Sequence, residues 1–192
     1  MSFHFFAYMA RMKYIKRWNL MRNTREENVQ EHSHMVSVIA HALCLIRNKL
    51  FDGDVDEKAV LAHAVYHEAG EVITGDLPTP IKYFNRDIKS AYKNIEHFAE
   101  ETLLTMLPEE LRDELAPYIR GDVDAEVKKI VKAADRLCAY IKCVEEKKTG
   151  NSEFDKAAVR TMDAIRKMEM PEVDYFIEKF LPSYEMTLDE LN

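Results

Sequence analysis

Glycine and proline are scarce in this sequence, five and six among 192 residues, and nearly all of them fall between long stretches rich in Ala, Leu, Glu, Lys and Met. That scarcity excludes a chain built from many tight turns, and the composition between the breaks favours helices over sheet. The three cysteines, Cys44, Cys138 and Cys143, are odd in number and form no CxxC pair, which argues against a disulfide framework and for reduced thiols. Long apolar runs are missing, since no stretch approaches the roughly 20 apolar residues of a membrane span. The opening MSFHFFAYMARMKYIKRW lacks the uninterrupted hydrophobic core and small-residue cleavage site of a secretory signal. Positive charge is also short: 27 Lys and Arg against 34 Asp and Glu leave a formal net charge of −7. With no basic block and no Lys/Arg run interleaved with aromatics, the footprint of a nucleic-acid polymer is missing. A small anionic ligand needs only a local cationic patch and stays open. The expectation is a soluble, cytoplasmic protein with no membrane and no nucleic-acid partner.

At 47% hydrophobic residues, the 192-residue chain can build one sizeable core, so a single domain over 1–192 is expected. Val29, His32, Val36, Ile39, Leu43 and Ile46, at spacings of three and four, predict an amphipathic helix over 29–49, capped by Asn28. Asp56 can cap a second helix, from Glu57 to about Thr74, which Gly75 ends. GDLPTPIKYF cannot continue it, because Pro78 and Pro80 lack N–H donors and push Leu77 and Thr79 toward extended geometry. A stiff loop is expected there. Further helices are expected at about 86–107, 109–119, 124–149, 153–169 and 172–181. The architecture is all-α, a bundle of helices packed directly on one another.

On the predicted helix 57–74, His67 and Glu71 are four apart and share a face, while Glu68 is rotated to its flank by about 100°. One helix could thus present an imidazole and two carboxylates to a metal, although acidic residues beside a histidine are common on solvated helix faces. Two other positions add weight. His32 lies in the first turn of an otherwise apolar helix, and Asp135 stands beside the apolar stripe of AEVKKIVKAADRLCAYIKCVEEK. A carboxylate near a core needs a partner. Lys132 or Arg136 could be that partner. A divalent metal joining His32, His67, Glu68 and Asp135 would satisfy all four groups together, and mixed imidazole and carboxylate ligation suits transition metals more than Ca or Mg. His63 and His67 are also four apart; the protease pattern H-E-x-x-H is not met, since Glu71 holds its last position, so a peptidase-like zinc site is a remote alternative to His63 as a surface or packing residue. The run EEKK at 145–148 reads as a solvated helix end.

The order His32, His67-Glu68, Asp135 resembles the H…HD…D ligand order of the HD-domain metal-dependent phosphohydrolases. More specifically, RWNLMRNTREENVQEHS at 17–33, YHEAGEVITGDLPTPIKYF at 66–84, ADRLCAYIKCVEE and VDYF resemble the bacterial 5'-deoxynucleotidases of that superfamily, and the likeness runs over nearly the whole chain. The resemblance implies an all-α HD-domain bundle of about six to eight helices. It implies a homodimer that uses one divalent transition metal (Co, Mn, Zn, Ni, Fe or Cu) to remove the 5'-phosphate from deoxyribonucleoside monophosphates. By the same resemblance, His32, His67, Glu68 and Asp135 hold the metal, with His32, Glu68 and Asp135 also against the substrate. Arg17 orients the phosphate, Trp18 packs against the sugar, and Asp76, Leu77, Pro78 and Thr79 line the nucleotide pocket. Glu71 is the catalytic carboxylate. From the residues alone, Trp18 could equally be a core anchor.

The chain departs from the family at one central position, where Glu68 stands in place of Asp and is one methylene longer. Two other readings follow: a catalytically weak nucleotide-binding or regulatory HD module, or an HD phosphohydrolase acting on a triphosphate or cyclic nucleotide. The second should need more cations near the metal than Arg17, Arg22, Arg25 and Lys82 provide.

Overall fold

The computed structural model describes residues 2–82 and 84–191, without the side chain of Thr79. The chain opens with the short helix α1 (Phe5–Met9) and then crosses an irregular stretch. An isolated antiparallel bridge, Lys16 to Asn28, closes the ends of that stretch, and among the described residues there is no strand. Helix α2 (Val29–Leu50) begins at Asn28 with a capping box: the Asn28 side chain accepts from the Glu31 N–H at 2.9 Å, and Glu31 accepts from the Asn28 N–H.

Asp56 caps α3 (Glu57–Tyr66) through the N–H groups of Lys58 and Ala59. This helix stops well short of Thr74. The imidazole Nδ1 of His67 takes the Ala64 carbonyl at 2.7 Å, the acceptor that the Glu68 N–H would use in a continuing helix. Three-residue bonds follow instead, Ala69 N to Tyr66 O and Glu71 N to Glu68 O, before the single turn α4 (Glu71–Thr74). Gly75, at φ 72°, ends it as expected. The following segment is not wholly loop. Pro80 sits in the first turn of α5 (Thr79–Lys82), where its missing N–H costs nothing, and Pro78 O accepts from Ile81 and Lys82.

The remaining helices are α6 (Arg86–Thr105), α7 (Glu109–Arg120), α8 (Ala125–Lys148), α9 (Asp155–Arg166) and α10 (Pro171–Lys179), each within a few residues of expectation. Helices α2, α3 and α8 pack together around Val36, Ile39, Leu43, Val60, Ala64, Ile130, Ala134 and Leu137, all nearly or fully buried. The Val, Leu and Ile side chains among them each contribute about 1.5–3 kcal/mol by leaving water. A second cluster, around Phe5, Ala69, Leu103, Leu104 and Ile119, fixes α6 and α7 behind the α3–α4 turn. A third joins Cys143, Phe154 and Ala157 to Trp18.

In the EEKK run, Glu145, Lys147 and Lys148 are exposed as a solvated helix end would be, and Glu146 is the exception. Glu146 is 1% exposed and accepts from Lys142 Nζ at 2.6 Å, Asn151 Nδ2 at 2.7 Å, and Thr24 N and Oγ1 at 2.9 and 2.8 Å. It ties the 17–28 stretch to α8. No helix among the described residues is long and apolar enough to cross a membrane.

Candidate active site

Three elements deliver the cluster expected from the sequence. His32 comes from the first turn of α2, His67 and Glu68 from the turn that ends α3, and Asp135 from α8. One donor atom from each lies within 4.8 Å of the other three. His32 Nε2 is 3.2 Å from Asp135 Oδ1, His67 Nε2 is 3.5 Å from Glu68 Oε1, and the two imidazole rings are 5.7 Å apart. The same Nδ1 contact that breaks the helix sets the tautomer of His67. A carbonyl can only accept, so Nδ1 carries the proton and Nε2 turns its lone pair toward the carboxylates. That Nε2 is buried without a hydrogen-bond partner, as a ligand atom awaiting a cation would be. The donors therefore fit a divalent transition metal, and Glu68 reaches the cluster despite its extra methylene.

The charges around the cluster are strongly perturbed. Burial lowers the pKa of His67 against the pull of Glu68 and Asp135, which keeps the ring neutral, as a ligand must be. Burial would raise Asp135, but Lys132, His32 and His67 outweigh it and hold the carboxyl well below its usual range. Lys132 Nζ sits 2.6 Å from Asp135 Oδ2, so this lysine is the cationic partner. Glu68, too, is lowered in spite of burial, by His67, Glu71 and Arg17. Glu71, at the start of α4, moves the other way: burial and the adjacent Glu68 raise it far above the ordinary carboxylate range.

Arg17 and Trp18 approach the cluster from the 17–28 stretch. The Arg17 N–H donates to Glu27 O at 2.9 Å, and its side-chain Nε donates to Glu27 Oε2 at 3.2 Å. Burial opposes the guanidinium charge, yet Glu68, Asp135, Glu27 and Asp76 together raise the Arg17 pKa. Trp18 has φ 55°, a left-handed conformation that costs a bulky residue roughly 1–3 kcal/mol. Its indole Nε1 donates to the same Glu27 Oε2 at 3.1 Å, and its ring packs on Phe154 with centroids 5.3 Å apart. Arg17, Trp18, Asp76, Pro78, Pro80 and Asp135 line one cavity of about 670 Å³, together with Lys132, Arg136 and the α9 residues Arg160 and Thr161.

The family model described as 5'-deoxynucleotidase YfbR-like matches residues 4–184. A 5'-deoxynucleotidase of Vibrio atlanticus is 50% identical over 190 residues, 98% of each chain. The 5'-deoxynucleotidase YfbR of Escherichia coli is 50% identical over 98% of this chain and 96% of its own. The chain belongs to the YfbR-like 5'-deoxynucleotidase family. Among solved structures, an HD-domain phosphohydrolase from Listeria innocua superposes with a TM-score of 0.83 at 22% identity, over 94% of this chain and 88% of that one. The cyanophage S-2L HD phosphohydrolase DatZ, bound to dA and one catalytic Zn2+, gives 0.65 at 20% identity, over 94% and 96%. At these identities both speak for the fold: this YfbR-like chain is an all-α HD-domain bundle.

Of the residues expected in the YfbR-like site, Arg17, Trp18, Asp76, Pro78 and Asp135 meet at the cavity, and His32, His67, Glu68 and Asp135 form the donor cluster. Leu77 is half-buried and is not among the cavity's lining side chains, and the side chain of Thr79 lies outside the described residues. His63 does not pair with His67; its Nδ1 meets Tyr118 O at 3.0 Å and its ring faces Gly121. Arg136 donates to Ala164 O instead of pairing with Asp135. The sequence reading missed Glu27, Phe154 and Arg160. Glu27 follows another glutamate in a polar run, and only the Lys16–Asn28 bridge folds it back onto Arg17.

Proposed function

We propose that this chain is a metal-dependent 5'-deoxynucleotidase, which hydrolyses deoxyribonucleoside 5'-monophosphates to deoxynucleoside and phosphate, with loose base preference and selection against ribonucleotides. The observation that carries the proposal is the four-donor cluster with its unpartnered His67 Nε2, at a cavity that Arg17 and Trp18 also line. His32, His67, Glu68 and Asp135 are its metal ligands. When bound, one divalent ion of the Co, Mn, Zn, Ni, Fe or Cu type supplies Lewis acidity to the phosphoryl oxygens and to water. Arg17 sets a planar fork of donors against the phosphate and the charge that develops on it. Glu71 positions the attacking water and accepts its proton as the bond from phosphorus to the 5'-oxygen breaks. That role needs Glu71 ionised. A cation held by Glu68 would offset the negative charge that, after burial, most raises the Glu71 carboxyl.

The Trp18 edge and the Asp76–Pro80 segment act as the wall that rejects a 2'-hydroxyl, since discrimination is a difference between two affinities. The whole chain acts as one domain, in the cytoplasm, on nucleotides and not on nucleic-acid polymers. Two copies pair as a homodimer, a reading supported by exposed apolar side chains at Phe84, just before α6, and at Ile95 and Phe98 on it, 76%, 51% and 67% exposed. Purified protein with Co2+ or Mn2+ should release orthophosphate from dAMP and dGMP much faster than from AMP. Pyrophosphate or triphosphate from dATP as the main product would contradict the proposal; Lys132, Arg136 and Arg160 supply cavity cations that make this arm necessary. No release from any deoxynucleotide with any of these metals would favour the regulatory reading.

A further inference from the structure

We propose that Glu27 is a positioning residue: one of its carboxylate oxygens locks the phosphate fork of Arg17 and the indole of Trp18 into a single unit, so that sugar selection depends on its reach. The inference rests on the roles proposed above for Arg17 and Trp18.

Glu27 Oε2 accepts both the Arg17 Nε–H, at 3.2 Å, and the Trp18 Nε1–H, at 3.1 Å. The Arg17 and Glu27 side chains are only 12% and 19% exposed, so water competes weakly for these bonds. By engaging Nε, the inner nitrogen, Glu27 fixes the guanidinium plane and leaves the two terminal nitrogens of the fork to a ligand. Its main chain holds the same neighbour, since Arg17 N donates to Glu27 O across the Lys16–Asn28 bridge.

Trp18 needs such an anchor more than an ordinary tryptophan. Its backbone sits at φ 55°, stabilised by bonds to its carbonyl from Met21 N and Asn23 Nδ2. Phe154 supports one part of the ring, and the indole N–H at its polar edge ends on Glu27. Without that bond the ring keeps its contact with Phe154 but is free to pivot about it. The edge that walls off a 2'-hydroxyl would then move, and the guanidinium beside it would lose its fixed plane. Glu27 itself lies outside the donor cluster.

Two substitutions separate reach from charge. Glu27→Asp keeps the charge and withdraws the oxygen by about one bond length of 1.5 Å. Glu27→Gln keeps a carbonyl oxygen at full reach and removes the charge. The readouts are kcat/KM for dAMP and AMP, and acrylamide quenching of Trp18, the only tryptophan of the chain. Melting temperature and Co2+ binding serve as controls. Glu27→Asp should narrow the dAMP-to-AMP ratio on the order of tenfold, since a 1 Å misplacement in an active site can cost about 100-fold, and should make Trp18 more easily quenched. Glu27→Gln should leave the ratio and the quenching near wild type and raise KM for both nucleotides. Wild-type ratio and quenching in Glu27→Asp would overturn the proposal, as would a Glu27→Gln variant whose ratio falls as far. If the wild type releases no phosphate from dAMP, the proposed function fails. The quenching comparison still decides whether Glu27 holds the indole.

Discussion

Glu146 offers the most quantitative test of how the substrate-side stretch is held. It is a buried carboxylate whose partners include a lysine, Lys142, that is itself only 4% exposed. Truncation by Glu146→Ala would leave that ammonium in the core with only the Arg25 carbonyl, and would take one acceptor each from the Thr24 N–H, the Thr24 hydroxyl and the Asn151 amide. Breaking one side of a buried ion pair costs about 3–5 kcal/mol, chiefly because an uncompensated charge is left behind. Urea unfolding at pH 7, followed by far-ultraviolet circular dichroism, should show a loss of that size with the slope unchanged. The double variant Lys142→Met/Glu146→Leu removes both charges and should recover much of it. A loss below about 1 kcal/mol for Glu146→Ala would refute the reasoning, because it would mean the pair is solvated and contributes as little as a surface salt bridge.

The same residue predicts part of the acid limb of stability. Burial would raise its pKa, but bonds from Lys142, Asn151 and Thr24 bring it down to about 2. Against an ordinary value of about 4.3, this contributes on the order of 3 kcal/mol, fully present above pH ~4.3 and lost as pH falls through about 2. Urea midpoints measured from pH 7 down to pH 3 should fall less steeply in Glu146→Gln than in the wild type, and an identical acid limb would contradict this. Leu137→Ala, at a fully buried α8 position, should cost roughly 2–5 kcal/mol in the same assay. Gly121 sits at φ 65° with His63 Cε1 3.3 Å from where a Cβ would be, so Gly121→Ala should lower the melting temperature by the equivalent of about 1–2 kcal/mol.

The helices were legible because their signals are local. The Asn28 and Asp56 caps, Gly75 and the three-four spacing of apolar residues each act within a turn or two. The break at His67 was not, since it depends on a side chain taking a carbonyl from its own helix, a choice that propensity does not record. The donor cluster could be read from residue types and from the resemblance to a known family, and Glu68 proves long enough to join it. What escaped was long-range: Glu27 is folded onto Arg17 and Trp18 by one bridge, and Glu146 is buried by a stretch more than 100 residues away in sequence. Within EEKK, Glu146 looks as solvated as its neighbours until the segment that covers it is in place.

The central claim is that His32, His67, Glu68 and Asp135 form one metal centre. Equilibrium dialysis of Co2+ against the wild type, Asp135→Ala and Glu71→Ala tests it most directly. One ion per chain should bind to the wild type and to Glu71→Ala, and binding should be lost in Asp135→Ala with the fold intact by circular dichroism. Undiminished binding by Asp135→Ala, or no stoichiometric binding by the wild type, would contradict the account.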